Sequence, residues 1–448
     1  MKPARQVHGR GNEVKILFRA TALLVAAPAL ANTWIVDAAG GPGSHFTDIP
    51  SAIGAAVAGD ILLVRPGSYS AFTLDEPLVI VAQAPGVVVG NTSSSTNVEN
   101  IVLGSKAALA GMRIEGILYV TSCSTEIVLD ELVLPYGRVQ VQNCADVRLR
   151  ACSVTGRDGA NTSNPYLGFH HGHPAILVDA SRVEVVDCDL LGGDGGDCIP
   201  CQTDGGWGGD GGPGIDVRNL GEVHVSRSNL TGGDGGDAAP APLFVEAYGG
   251  FGGNAMVVGS YPYNASTGQV SGQPAQVFQG GAGGYGYGFG GWSQEGGGHG
   301  LVIAKQAAAR TSGVTFLPGP LQSKAIQVDP GGTHEPAVPD DPTLRIVDAP
   351  LAGQVVTFRI NAPAVSFVTL LLGRNAKVSP LPGLGEDLLI VPSRAIPLGF
   401  VDGSGVISFN QPIPAALGPG FVLHAQCKVE LSGTGELRYT NSTPLVLR

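Results

Sequence analysis

Charge is scarce in this sequence. Asp, Glu, Lys and Arg make up 14% of its 448 residues, against about a quarter in an ordinary soluble domain. Of the 26 basic residues only 7 are Lys, and Met and Trp number three each. The apolar run over 20–30 is too short to cross a bilayer as a helix. With 43% apolar residues the chain is too hydrophobic for disorder, and the absence of a Gly-X-Y period excludes collagen. What it has in excess is glycine (68) and proline (32), together 100 residues, which a helix-dominated enzyme does not accommodate. The composition points to an all-β, turn-rich, exported protein of two or three domains.

Residues 1–31 carry Lys2, Arg5, Arg10, Lys15 and Arg19 against the single acid Glu13, then an apolar run closing on Ala29-Leu30-Ala31. A basic segment, a short apolar core and an A-x-A end form a secretory signal, with cleavage expected near Ala31 and a secreted or extracellular-surface location. Its removal leaves 21 basic against 36 acidic residues, a net charge near −15. Such a field repels nucleic acid and bare acidic polysaccharide. A neutral glycan, another protein of the cell surface, or an anion bridged by metal fits better. The Cys count is odd, seven, so at least one thiol is unpaired in a monomer. Cys198-Ile-Pro-Cys201 reads as a local disulfide, because no second CxxC completes a zinc site.

Internal repetition governs the middle of the chain. Val139-Gln-Val-Gln-Asn-Cys-Ala-Asp-Val-Arg-Leu-Arg-Ala-Cys152 aligns with 175–188 and with 215–228; 116–137 is a looser copy and 300–319 a degenerate last one. Each unit holds two runs of period two, separated by a polar corner at Asn143, Asp179 or Asn219. Strand pairs that turn and recur bury their apolar face only by stacking on one another at about 4.8 Å, which is a parallel β-helix. Cys152, Cys188 and Ser228 then form one column of small packed residues. After Gly/Pro turns, Trp34-Ile-Val-Asp37 leads to Phe46-Thr-Asp-Ile-Pro-Ser-Ala-Ile-Gly-Ala-Ala-Val57 and to Gly59-Asp-Ile-Leu-Leu-Val-Arg-Pro-Gly-Ser-Tyr69. Thr47 or Asp48 can cap a helix with Ile49, Ile53 and Val57 on one face, covering the first coil.

This opening resembles that of the pectin lyase-like superfamily: V-D, F-x-T/D-I-x-x-A-I-x-A-A, then G-D-x-I-x-V-x-P-G-x-Y. The resemblance is close over 34–69 and looser through the repeats. It implies a right-handed parallel β-helix over 32–330, in about eight coils with an N-terminal capping helix. It does not imply one reaction, because lyases, hydrolases, esterases, epimerases and noncatalytic surface proteins share it.

Insertions at 160–174, 194–213 and 234–299 enter at one point of the repeat and are expected to project side by side as the functional face. The third is rich in rings, ten of the chain's 27 aromatics lying within 244–292. Tyr248, Tyr261, Tyr263, Tyr285, Tyr287 and Trp292 are the candidate ligand-binding residues, suited to stacking on a sugar face or to packing the loop itself. Gly192-Gly-Asp-Gly-Gly-Asp197 recurs as Gly232-Gly-Asp-Gly-Gly-Asp237. The motif fits a Ca²⁺ nonapeptide, which makes Asp194, Asp197, Asp234 and Asp237 candidate calcium ligands. Duplicated glycine turns explain it without a metal. His170, His171 and His173 form a loop cluster with no acid or Cys at ligand spacing.

Two functions stay open. One is noncatalytic recognition of a polysaccharide or cell-envelope partner through the inserted loops. The alternative is a polysaccharide-degrading enzyme, a glycoside hydrolase of polygalacturonase type or a polysaccharide lyase. Gly196-Asp-Cys-Ile199 resembles part of the polygalacturonase G-D-D-C-I, Thr203-Asp204-Gly205 part of its N-T-D, and Gly298-His-Gly300 its G-H-G. That resemblance implies Asp194, Asp197, Asp204, Asp234 and His299 as catalytic candidates. The chain departs from the family at Gly196, in the order of the blocks, and in lacking R-I-K. It lacks grouped Arg and Lys bases of lyase type as well.

Residues 331–342, rich in Pro, Gly and Asp, read as a linker. Over 343–448, seven or eight short strands between Gly/Pro turns fit a β-sandwich. Its ending resembles C-terminal modules of secreted bacterial proteins, planctomycete-type especially.

Overall fold

The structure is a computed structural model. It describes residues 31–447 apart from 103–105, 164–170, 202–205, 241–245, 260–265, 272–275, 289–290, 313, 323, 337–341, 348–350, 352, 381–386 and 415–416. The expected signal segment, Asp204, Tyr261, Tyr263 and His170 lie outside the described residues, as do the side chains of Tyr287 and Trp292.

The chain is all-β, a parallel β-helix followed by an antiparallel sandwich. One face of the solenoid is a parallel sheet of eleven strands, from Thr33–Val36 through Asp146–Arg150, Arg182–Val186 and Glu222–Ser226 to Thr333–Pro336. Short strands such as Ser153–Thr155, Asp189–Leu191 and Asn229–Thr231 stack as a second face, and Val139–Gln142, Ile176–Asp179 and Ile215–Arg218 as a third. The second and third faces share one hydrogen-bonded sheet because Val87–Glu99 and Arg113–Thr121 run through both. The repeat aligned from sequence is therefore the third face followed by the eleven-stranded one. The second face was hidden by strands of two or three residues, too short to display a period.

Register follows the apolar column. Val139, Ile176, Ile215, Met256 and Leu301 are successive partners, all fully buried. Cys152 N–H points to Cys188 Sγ (3.4 Å) and Cys188 N–H donates to Ser228 Oγ (3.0 Å), so the expected column exists. The corner column is Asn143, Ala180 and Asn219, at φ 53°, 45° and 53°. Asp179 falls one place earlier than the sequence alignment put it, and its Oδ1 accepts from Asn219 Nδ2 (2.9 Å). Residues 256–279, read from sequence as part of one long insertion, complete a further coil with strands Met256–Val258, Thr267–Ser271 and Val277–Gln279.

The helix Ile49–Ala55 covers the first coil with Ile49, Ala52 and Ile53 buried. Asp48 stands at its N-cap, but its side chain accepts no cap bond; Oδ1 takes the Ser70 N–H (3.3 Å) instead. Val57 lies past the helix end and is 57% exposed, so it does not extend the apolar face. Asp60 ties the opening motif together, accepting from Asn32 N–H, Trp34 Nε1–H and Val57 N–H. Burial would raise its pKa, and these bonds to the carboxylate outweigh burial and lower it.

From Thr343 the strands are antiparallel. Thr343–Ile346, Val355–Asn361 and Val406–Pro412 form one sheet. Phe367–Gly373 and Val422–Glu430 centre the other. Phe358 and Ile360 share a core with Leu370, Cys427 and Val429. This domain docks on the eleven-stranded face of the solenoid. Val422 and Val446 pack with Val81, Ala108, Ala110 and Val128, beside a buried polar cluster of Lys106, Glu126, Arg148, Glu184, His424 and Ser442.

Candidate binding site at the tips of the glycine arms

Four insertions, at 156–175, 192–214, 232–255 and 280–300, leave the solenoid between its second and third faces. Each has an outgoing and a returning limb, and both limbs repeat with period three: Gly-Gly-Asp-Gly-Gly-Asp over 192–197, Gly-Gly-Asp-Gly-Gly-Pro over 208–213. The bonding of 232–237 explains the period. Gly232 N–H donates to Gln279 O (2.9 Å) in the next coil's limb, Gly233 N–H to Gly212 O (2.8 Å) in the facing layer, and Asp234 N–H to Asp194 Oδ1 (2.8 Å) in the preceding coil. The next three repeat this: Gly235 to Ala282 O, Gly236 to Gly209 O and Asp237 to Asp197 Oδ1. Three bonding directions recurring every three residues describe an extended helix with three residues per turn and all its bonds to neighbours.

The limbs thus form two layers zipped face to face. One continuous path of backbone bonds runs Gly319, Gly298, Gly281, Gly253, Gly233, Gly212, Gly193, His173, each N–H donating to the next carbonyl at 2.7–2.9 Å. The layers approach so closely that only glycine fits inside. A Cβ on Gly233 would strike Gly193 O, and one on Gly250 would strike Gly209 O, both backbone atoms that cannot step aside. Every third residue faces out, and there Asp does a defined job: its Oδ1 accepts the N–H of the outward residue one coil on. The chains run Asp158–Asp194–Asp234–Ala282 and Asn161–Asp197–Asp237–Tyr285, at 2.7–2.9 Å per link.

The candidate catalytic and calcium residues accordingly lie in two columns along the outgoing layer. Asp194 and Asp234 share one column and Asp197 and Asp237 the other, each with one oxygen on a backbone N–H. The Asp194 pKa is raised, chiefly by burial, with Asp158 and Asp234 adding repulsion. His299 sits elsewhere, on the returning layer, with Nδ1 at 2.7 Å from Lys324 O and its N–H on Asn254 Oδ1. Among the described residues, no group of three or more His, Cys, Asp or Glu is placed to hold a metal ion. His171 and His173 have separate partners, Asp210 and Arg138.

At their outer ends the arms stop being glycine lattice and become small sheets. Cys198–Cys201 pairs with Ala238–Pro240, and Cys198 is disulfide-bonded. Gly206–Trp207, Ala247–Tyr248, Tyr285–Gly288 and Gly291–Gln294 form a four-stranded sheet ending in a hairpin that pairs Tyr287 with Trp292. The register of the parallel pair sets Trp207 beside Tyr248, and their rings stack at 4.7 Å and 27°. Tyr248 Oη donates to Glu246 Oε2 (2.6 Å), which fixes the ring's tilt. Trp207 remains 47% exposed, Tyr285 49% and Phe251, lower on the returning face, 49%. Trp207 lies in the second insertion, outside the aromatic-dense window, and sequence reasoning missed it. The signal available was its place in Gly-Gly-Trp-Gly-Gly, the outward position of the period.

The fold and this surface define a class: a parallel β-helix protein carrying zipped glycine arms with aromatic tips. No protein-family model matches the chain, and no curated protein matches it. Among solved structures it is similar to full-length tailspike protein 2 of the Escherichia coli O157:H7 bacteriophage CAB120. That match has 10% identity and a TM-score of 0.21, over 92% of this chain and 64% of that one. It is also similar to a DUF3823 family protein of Bacteroides ovatus ATCC 8483, at 22% identity and a TM-score of 0.19, over 27% of this chain and 63% of that one. The chain thus spans slightly less than two thirds of the length of either, and at these scores neither likeness bears on the site. No helix among the described residues is long and apolar enough to cross a membrane.

Proposed function

We propose that this is an exported cell-surface protein of the pectin lyase-like superfamily that recognises a glycan or cell-envelope component through its arm tips, without catalysis. The stacked Trp207–Tyr248 pair carries this reading: a Trp207 ring 47% exposed, backed by a less exposed Tyr248 ring, at the end of a rigid arm. An aromatic platform of that kind gains by covering the C–H face of a sugar, and it gives up little entropy because its sheet already fixes the rings. Net negative charge and scarce Lys favour stacking over ion pairing with the ligand. Asp194, Asp197 and Asp234, three of the carboxylates proposed for hydrolysis, each give one oxygen to a backbone N–H of the next arm, which supports recognition over glycosidic cleavage.

The test is a glycan-array and depolymerisation screen of the mature chain, with and without Ca²⁺. Trp207→Ala with Tyr248→Ala should abolish polysaccharide binding on the array while moving the thermal midpoint by less than a few degrees. Product formation from any polysaccharide would replace this reading with the enzyme.

A further inference from the structure

A second concave surface lies away from the arms, on the eleven-stranded face. The C-terminal domain's described contacts there run from Ile61 to Arg227. Beyond them, the outer residues of the last coils surround a cavity of about 260 Å³ lined by Glu222, His224, Thr267, Ala308, Arg310 and Thr333. This is near the lower bound of the ~300 to 1,000 Å³ of small-ligand clefts. Register explains the hollow. Glu222, Thr267, Ala308 and Thr333 are successive partners, so they stand in one column about 4.8 Å apart. The column drops from a long side chain to a methyl group at Ala308 and rises again. His224 stands two residues along the strand, about 6.7 Å away.

The lining mixes hydrogen-bonding roles. His224 Nε2 lies 2.8 Å from Glu222 Oε1, and Arg182 Nη1 stands 3.7 Å from Glu222 Oε2. The imidazole of His224 therefore meets that carboxylate through Nε2, and its other ring nitrogen is a further polar atom of the ring. Thr267 and Thr333 carry hydroxyls that donate and accept, and Arg310 is a donor only. The Glu222 pKa is lowered, first by the His224 bond, so the carboxylate is ionised across the neutral range. Convergent donors and acceptors over a small apolar floor match a compact polyhydroxylated molecule with one apolar face.

We infer that this shelf binds a single saccharide unit, at a site separate from the arm tips. The test titrates the full chain with glucose, N-acetylglucosamine and glucuronate by saturation-transfer-difference NMR and calorimetry. Alongside run Ala308→Phe, which fills the hollow from an outward position, Glu222→Gln, Arg310→Ala, and the Trp207→Ala/Tyr248→Ala tip variant. The expected result is saturable binding of at least one sugar that Ala308→Phe abolishes and Glu222→Gln weakens tenfold or more, with the tip variant unchanged. Arg310→Ala serves the same purpose if Ala308→Phe does not fold. Failure of every sugar to bind overturns the inference, as does binding that survives the shelf variants or is lost only with the tip. A polymer arm in the same titration separates a free sugar from a chain unit. The tip reading stands or falls separately, on the array result.

Discussion

Arg148 and Glu184, neighbours across two coils, form an ion pair sealed beneath the C-terminal domain: Nη1 to Oε2 is 2.8 Å, and the Arg148 side chain is 2% exposed. Glu126 and Asp146 complete the ring of acids around the guanidinium, and Ser442 of the sandwich bonds to both members. Arg148→Ala strands these carboxylates in a dry interface. The expected cost is about 3–5 kcal/mol, read as a lower urea midpoint. Arg148→Met with Glu184→Leu removes the buried pair while Glu126 keeps Lys106 at 3.1 Å, and should recover part of the loss.

The same interface sets an acid limit. Burial lowers the His424 pKa to about 4, against its usual 6.5, so near neutrality the imidazole is uncharged and its Nε2 is free to accept from Lys106 Nζ (2.7 Å). A depressed His pKa means that the unfolded chain binds the proton more readily. This contribution is therefore full above about 6.5 and is lost as pH falls towards 4, roughly 3 kcal/mol in all. Glu126 follows at lower pH. Burial would raise its pKa, but the cations around it outweigh burial and hold it at about 2. Its contribution disappears between its ordinary value and that one. The thermal midpoint followed from pH 7 to 4 should fall, and His424→Leu should flatten that part of the curve.

The arms are expected to reject any side chain on their inner positions. Gly233→Ala presses a methyl group against Gly193 O and should cost about 1–3 kcal/mol of local stability. The readout is hydrogen exchange: amides of 192–254 lose protection while those of 139–150 keep it. Ala282→Ser, on the outward position, should leave both unchanged.

The outward Asp ladder separates hydrogen bonding from charge. Asp194→Asn keeps an acceptor for the Asp234 N–H and removes repulsion with Asp158 and Asp234, so the arm should be as stable or slightly more so. Asp194→Ala removes the acceptor and should cost about 1 kcal/mol. A Ca²⁺-dependent rise in midpoint that Asp194→Asn abolishes would assign the ladder to calcium instead.

The solenoid was legible because its core repeats. The apolar runs of 139–152, 175–188 and 215–228 show the repeat by eye and the Cys152–Cys188–Ser228 column came with them, although the alignment set Val139 against Ala175 where the structure pairs it with Ile176. The second face was not, since a two-residue strand such as Val133–Leu134 carries no period. In the candidate site the aromatic tip was read through Tyr248 and Tyr285, whereas Trp207 was missed because only the fold brings its insertion beside theirs. The Gly-Gly-Asp runs were read as turns or metal loops although their three-residue period was in plain view. The docking surface also left a trace. Ile61–Val64, Val79–Ala82 and Ala107–Ala110 are apolar at every position, which a strand needs only when both its faces are covered.

The zipped arms divide their sequence into two kinds of position. In the arms between the edges, two of every three limb residues are locked to glycine by the opposing backbone, while the outward third contributes one hydrogen bond per coil. Descendants of this chain can therefore vary the outward residues without renegotiating the handle. Drift along the limbs should be read in triplets, with glycines frozen and every third letter free to wander among residues that offer an acceptor.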